Sequence, residues 1–120
     1  MKVFIVDDSA VLRERVIEML SELPGIEIIG YAQNVPDALS AIKQLNPDVV
    51  ILDIRIPGGN GMDVLQDIKQ EKGAPMVIIL TNYPYPQYRK KCLGLGADYF
   101  FDKSTEFEKV TELFKRLRPV

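Results

Sequence analysis

The chain predicts a doubly wound α/β sandwich: five strand–helix units forming one parallel sheet with helices on both faces. Three observations point to it. Short apolar runs alternate with longer stretches of helical period in five repeats, the signature of βαβ units. Val49 to Leu52 and Met76 to Leu80 are apolar at every position, as expected of strands covered on both faces. Four of the five runs end in residues that carry chemistry: Asp7 and Asp8, then Asp53, Thr81 and Lys103. Parallel strands deliver all of these to one edge of the sheet, outside the carboxyl ends where ligands of open α/β sheets sit.

Each unit has its own signals. The first strand runs from Val3 to Asp7. In the helix that follows, Leu12, Val16, Met19, Leu20 and Leu23 fall on one face, and Pro24-Gly25 stops it. Ile26 to Ala32 reads as the second strand. The second helix takes Asn34 as its N-cap and Pro36 in its first turn, turns Ala38, Leu39, Ile42 and Leu45 inward, and ends at Asn46-Pro47. The third strand, Val49 to Leu52, leads into the loop Ile54-Arg-Ile-Pro-Gly-Gly-Asn-Gly61, and a helix is expected from about Met62 to Lys72. After Met76 to Leu80 comes the loop Tyr83-Pro84-Tyr85-Pro86, with rings that suit a partner contact, and a short helix ending near Gly94. Tyr99 to Phe101 closes the sheet. Thr105 and Glu108 have capping-box spacing at the start of a last helix that turns Phe107, Val110, Phe114 and Leu117 inward.

Composition bounds what such a domain does. The 120 residues, 47% of them apolar, suit one core and leave no room for a second domain. A net charge of −2 gives no field that would draw the chain to nucleic acid or an anionic membrane, and the basic run Arg89-Lys90-Lys91 reads as a solvated face. The run before Asp7 is too short for a leader or a membrane span, so the expectation is a soluble cytoplasmic protein. Cys92 has no cysteine to pair with and reads as a small apolar residue. With no histidine in the chain, a Ser-His triad, a histidine metal site and a phosphohistidine on this protein are excluded.

The strand tips suggest a chemistry. In sheet order 2-1-3-4-5 the first, third and fourth strands are central neighbours, so Asp7, Asp8 and Asp53 crowd together and repel unless a cation joins them. Oxygen ligands favour a hard ion, and Mg²⁺ commonly takes one or two carboxylates together with phosphate oxygens. Asp53, nearest the middle, is then the candidate nucleophile, with Lys103 pairing with one phosphoryl oxygen and Thr81 donating its hydroxyl to another.

With these residues in this order, the chain resembles over its whole length (residues 1–120) the CheY-like receiver domains of two-component response regulators. The resemblance is carried by Asp7-Asp8, by Asp53 with Pro57 and Gly61 behind it, by Thr81 and Lys103, and by the run Gly94-Leu-Gly-Ala-Asp-Tyr-Phe-Phe-Asp-Lys103. It implies a flavodoxin-like fold in which Asp53 accepts a phosphoryl group from a histidine kinase or histidine phosphotransfer protein. Mg²⁺ would be held by Asp8, Asp53 and the backbone carbonyl of Arg55, and by Asp7 through water. Thr81 and Phe100 would act as the switch, Phe100 turning inward on phosphorylation. The partner would be an output protein or an attached effector domain, and a homodimer through the fourth-helix face is a family expectation. No turnover of an external substrate is implied. Asn82, Ser104 and Phe100 depart from the common pattern, in which a small residue follows the Thr, a Pro follows the Lys, and the switch ring carries a hydroxyl.

Two rival readings remain at this stage. One is a receiver-like interaction module that is not phosphorylated. The other is a Mg²⁺-dependent phosphatase cycling through an aspartyl-phosphate, which would carry Asp-x-Asp where this chain has Asp53 and Arg55.

Overall fold

The computed structural model describes residues 1–117; the last three positions of the expected 1–120 domain lie outside the described residues. Ten elements alternate: β1 (Lys2–Val6), α1 (Ala10–Ser21), β2 (Glu27–Ala32), α2 (Val35–Leu45), β3 (Val49–Leu52), α3 (Gly61–Lys69), β4 (Met76–Thr81), α4 (Pro86–Gly94), β5 (Tyr99–Asp102) and α5 (Phe107–Leu117). The strands form one parallel sheet of order β2-β1-β3-β4-β5, the order expected from the sequence.

Side chains alternate across a strand with period two, and this builds the three layers. Val3, Ile5, Val49, Ile51, Ile78 and Leu80 face α1 and α5, where they meet Val16, Leu20, Val110 and Phe114. Phe4, Val6, Val50, Leu52, Val77 and Ile79 point the other way, into a core closed by Ala38 and Ile42 of α2, Val64 and Leu65 of α3, and Cys92 of α4. Each face of the sheet is thus covered by its own cluster of buried apolar side chains. Among the described residues, no helix is long and apolar enough to cross a membrane.

Helix ends show where local chemistry overrode the sequence pattern. Asn34 caps α2 as expected, its Oδ1 accepting from the Asp37 N–H at 2.9 Å, and Asn46 ends that helix in the left-handed region at φ 49°. Helix α3 stops at Lys69 rather than Lys72. The Gln70 N–H bonds back to the Asp67 and Ile68 carbonyls, tightening the last turn, and Gly73 at φ +70° then turns the chain toward β4. Leu45, expected inward, is 41% exposed at the last position of α2. Helix α5 begins at Phe107, so Thr105 lies exposed in the preceding turn and does not serve as its cap.

Gly61, the first residue of α3, fixes how closely that helix approaches β3. Its N–H donates to the Ile54 carbonyl at 2.6 Å, and a Cβ there would overlap the Asp53 carbonyl oxygen. The obstacle is backbone, which cannot swing aside. Gly61→Ala is therefore expected to destabilise the fold by about 2–4 kcal/mol, read as a lower urea midpoint at unchanged m-value. An unshifted midpoint would show that the β3–α3 loop yields easily.

Candidate functional site

Each residue singled out at a strand tip is held by the backbone of its neighbours. The Asp7 N–H donates to the Ala32 carbonyl and the Asp53 N–H to the Val6 carbonyl, both at 3.0 Å, so the two acids are the last rungs of their ladders. Asp7 Oδ1 accepts from the Ser9 N–H at 2.8 Å, which shapes the turn into α1, and Asp53 Oδ1 accepts from the Ile54 N–H at 2.7 Å. That leaves one oxygen free on each. Both Oδ2 atoms meet the same cation, with Lys103 Nζ at 2.7 Å from Asp7 and 2.7 Å from Asp53. Asp7 is 3% exposed and Asp53 6%, whereas Asp8 faces solvent.

One oxygen from each of Asp7, Asp8 and Asp53 lies within 4.8 Å of the other two, a spacing that suits a shared metal ion. Three acidic groups against one ammonium is an unbalanced set. Burial pushes the Asp7 carboxyl above its usual range; the Lys103 hydrogen bond and the Ser9 N–H draw it back only in part, and the Asp53 charge adds to the rise. Burial alone would lower Lys103, but its bonds to Asp53 and Asp7 outweigh that, and its net shift is upward. The two directions fit together because one ammonium serves two carboxylates. Lys103 is held charged, and Asp7 is left short of compensation. A donor set of carboxylate oxygens with excess negative charge is the chemistry that a hard divalent cation satisfies.

The remaining expected residues surround this pair. Thr81 is fully buried, and its Oγ1 accepts from the Tyr83 N–H at 3.1 Å, which leaves the hydroxyl proton available to another acceptor. Arg55 directs its guanidinium outward over the Tyr83 ring, 4.1 Å from the centroid, and the neighbouring tyrosines, Tyr88 most of all, hold its pKa above the usual value. A cleft of about 510 Å³ lined by Asp8, Arg55, Asn60 and Tyr88 opens beside it. Phe100 is buried in the core beneath α4, its ring already inward, and its carbonyl accepts from Arg89 Nη1 at 3.2 Å. Asn82 is exposed, with Ser104 and Lys103 on the wall of a broad groove between α1 and the start of α5. The Lys103–Ser104 bond is trans, and Lys103 reaches both acids without a proline after it. Cys92 is buried, with its thiol pushed up to about 11 by desolvation.

Two contributors escaped the sequence reading. Arg13 is buried on the inner side of α1, where its Nη1 donates to the Asp7 carbonyl at 3.1 Å and its guanidinium lies 4.3 Å from the Tyr31 ring centroid. A charged residue beside Leu12 on an otherwise apolar face was the available signal. Glu106 accepts from the Asp102 N–H at 3.1 Å, a contact across a loop that no helical or strand period encodes.

A doubly wound sheet whose strand tips gather buried acids, an ammonium and a hydroxyl defines an aspartate-centred site in an α/β domain. The sequence matches the response regulator receiver domain over residues 3–115, and the chain belongs to that family. It is 37% identical to a protein-glutamate methylesterase/protein-glutamine glutaminase of Clostridium acetobutylicum, over 98% of this chain and 36% of that protein. It is 35% identical to the DNA-binding transcriptional activator DevR/DosR of Mycobacterium tuberculosis, over 85% of this chain and 47% of that one. The chain thus spans between a third and a half of these relatives. Among solved structures, it superposes on the response regulator domain of Thermotoga maritima CheB with a TM-score of 0.84 at 27% identity, covering 97% of this chain and 92% of that one. A LuxR-family DNA-binding response regulator from Staphylococcus aureus gives 0.87 at 30% identity, covering 96% of each chain.

The raised pKa of Asp7 carries a stability consequence. The folded state disfavours the Asp7 charge, so the penalty is absent in acid below the ordinary carboxylate pKa and grows as pH rises through and above it. Asp7→Asn, which keeps an oxygen for the Ser9 N–H, is expected to be more stable than the parent at pH 7, with the gain shrinking toward pH 3. Urea unfolding at the two pH values measures it; a gain of equal size at both would assign the effect to something other than charge.

Proposed function

We propose that this receiver domain is a phosphoacceptor: Asp53 takes a phosphoryl group from a phosphohistidine on a kinase or phosphotransfer partner, and the change alters the face the domain offers to its output. The observation that carries this reading is the single Lys103 ammonium at 2.7 Å from both Asp53 and Asp7, in a site whose other members are acidic or hydroxylic. A carboxylate oxygen of Asp53 attacks phosphorus, the bond from phosphorus to the donor imidazole nitrogen breaks, and the nitrogen keeps the electron pair. Lys103 would then pass from the carboxylate to a phosphoryl oxygen. Thr81, with its proton uncommitted, would donate to another. Asp7, Asp8, Asp53 and the Arg55 carbonyl would hold Mg²⁺, whose chemistry when bound is to neutralise charge on the transferring oxygens.

The groove of about 780 Å³ between α1 and the β5–α5 loop, with Lys103 and Asn82 on its wall, supports an approach route for the donor. Val11 on its rim is 71% exposed, an apolar side chain suited to a partner's helix. Relatives of nearly equal identity carry names as different as a methylesterase and a transcriptional activator. Likeness in the receiver therefore does not select the output, and the output belongs to a partner or to further chain.

Incubation with acetyl phosphate and Mg²⁺, followed by intact mass under conditions that preserve acyl phosphates, is expected to add one phosphoryl group that Asp53→Asn abolishes. No adduct, together with no beryllofluoride-dependent shifts by NMR, would favour the unphosphorylated interaction module. Turnover of an external phosphoester would favour the phosphatase. Val11→Asp is expected to leave the acetyl phosphate reaction within about twofold while slowing transfer from a phosphohistidine protein by tenfold or more, roughly the cost of placing a charge in an apolar contact. Equal slowing with both donors would place the damage in the site and not in docking.

A further inference from the structure

Lys103 does its work at the end of a long, flexible stem, so its reach depends on where the backbone launches it. The segment that launches it, Asp102 to Glu106, is closed on itself. Asp102 Oδ1 accepts from the Ser104 N–H at 2.8 Å. The Asp102 carbonyl accepts from the Glu106 N–H at 2.8 Å, and Glu106 Oε1 accepts from the Asp102 N–H at 3.1 Å. The last two bonds run between the same pair of residues in opposite directions, and they make a ring with Lys103 inside it.

The ring sits on the free side of the sheet. The Lys103 N–H donates inward to the Thr81 carbonyl of β4 at 2.9 Å. Asp102, one residue earlier, points its own N–H outward, and β5 is an edge strand with no neighbour there. Glu106 supplies the missing acceptor. Its second oxygen is held by Lys109 at 2.8 Å, which keeps the carboxyl below its usual range and turned so that Oε1 meets Asp102. Lys103 is thus fixed from β4 on one side and from the ring on the other, in a chain where Ser104 follows it.

We propose that the Asp102–Glu106 ring positions the Lys103 ammonium against Asp53 and Asp7, with Glu106 as a positioning residue that never touches the reacting atoms. The inference rests on the reading that Lys103 serves a phosphoryl group on Asp53. Its competitor is a ring that only stiffens a loop, and the two differ in what Glu106 does once Lys103 is gone.

The test measures beryllofluoride affinity by NMR titration of the whole chain at fixed Mg²⁺ for Glu106→Ala, Glu106→Gln, Lys103→Met and the Lys103→Met/Glu106→Ala pair, with amide exchange recorded without Mg²⁺. Glu106→Ala is expected to weaken binding about tenfold, the scale of one lost hydrogen bond to a group that must be placed. Glu106→Gln, which keeps the acceptor oxygen, should recover most of it. In the Lys103→Met background Glu106→Ala should cost nothing further, the non-additivity of residues acting through one another. Exchange at the Asp102 amide should quicken in the Ala variant and not in the Gln variant. Unchanged affinity in Glu106→Ala, or an equal loss with and without Lys103, would overturn the proposal. Affinity unaffected by Lys103→Met would instead overturn the phosphoryl reading beneath it. Should the Ala variant fail to fold, Glu106→Met, which keeps the length of the side chain without its acceptor oxygen, replaces it with the same expected and overturning outcomes.

Discussion

Everything at the carboxyl edge of this sheet depends on two buried acids sharing one ammonium. Asp7 and Asp53 sit at the ends of adjacent strands because β1 pairs with β3 across more than forty residues of intervening chain. Lys103 comes from beyond β5, with β4 between it and Asp53. Strands lie about 4.8 Å apart, so the ammonium must cross roughly 10 Å of sheet edge. The lysine stem, the Asp53 side chain and the 2.7 Å contact between them together cover that span, and the tip of β4 must stay low beneath it. A short residue such as Thr81, fully buried and turned to the Tyr83 N–H, meets that need while keeping a hydroxyl in the site.

The same arrangement explains why the site invites a further charge. Three carboxylates within 4.8 Å and one ammonium leave an excess of negative charge, part of it in a place where water is scarce. The excess is not relieved by movement. Asp7 and Asp53 are the last rungs of their strand ladders, and the start of α3 presses so close to Asp53 that a methyl group at Gly61 has no space. An under-neutralised cluster of oxygen donors held in place by backbone contacts has the chemistry that suits a hard cation.

The fold was legible because burial on both faces writes strands as unbroken apolar runs: Val49 to Leu52 and Met76 to Leu80 admit little else. The site residues were legible because parallel topology sends every strand tip to one edge, so sequence position translated directly into proximity. What the pattern missed was held by contacts without a period. Leu45 kept helical phase with Ile42 yet ends up exposed, because α2 terminates there and the core does not follow it. The Thr105 and Glu108 spacing mimicked a cap, but Glu106 bonds back to Asp102 and delays the helix to Phe107. Arg13 was hidden by its charge: a guanidinium is buried only when something specific receives it, and the Asp7 carbonyl and the Tyr31 ring do so across elements distant in sequence.

The edge of β5 links these features to the surface between α4 and α5. Two of its outward backbone groups, the Phe100 carbonyl and the Asp102 N–H, are taken by side chains, Arg89 from α4 and Glu106 from the turn before α5. An edge covered in this way cannot add a strand from another chain without losing both bonds. A partner on this side must therefore engage the side chains of α4 and α5, or displace Arg89 and Glu106. Displacing Glu106 loosens the ring that launches Lys103, so a partner that needs it free would bind less tightly when Lys103 is occupied, and the reverse holds for one that clamps it. By linkage the site and the edge must influence each other equally. The sign of that coupling is set by whether the partner competes for Glu106 or leaves it on Asp102.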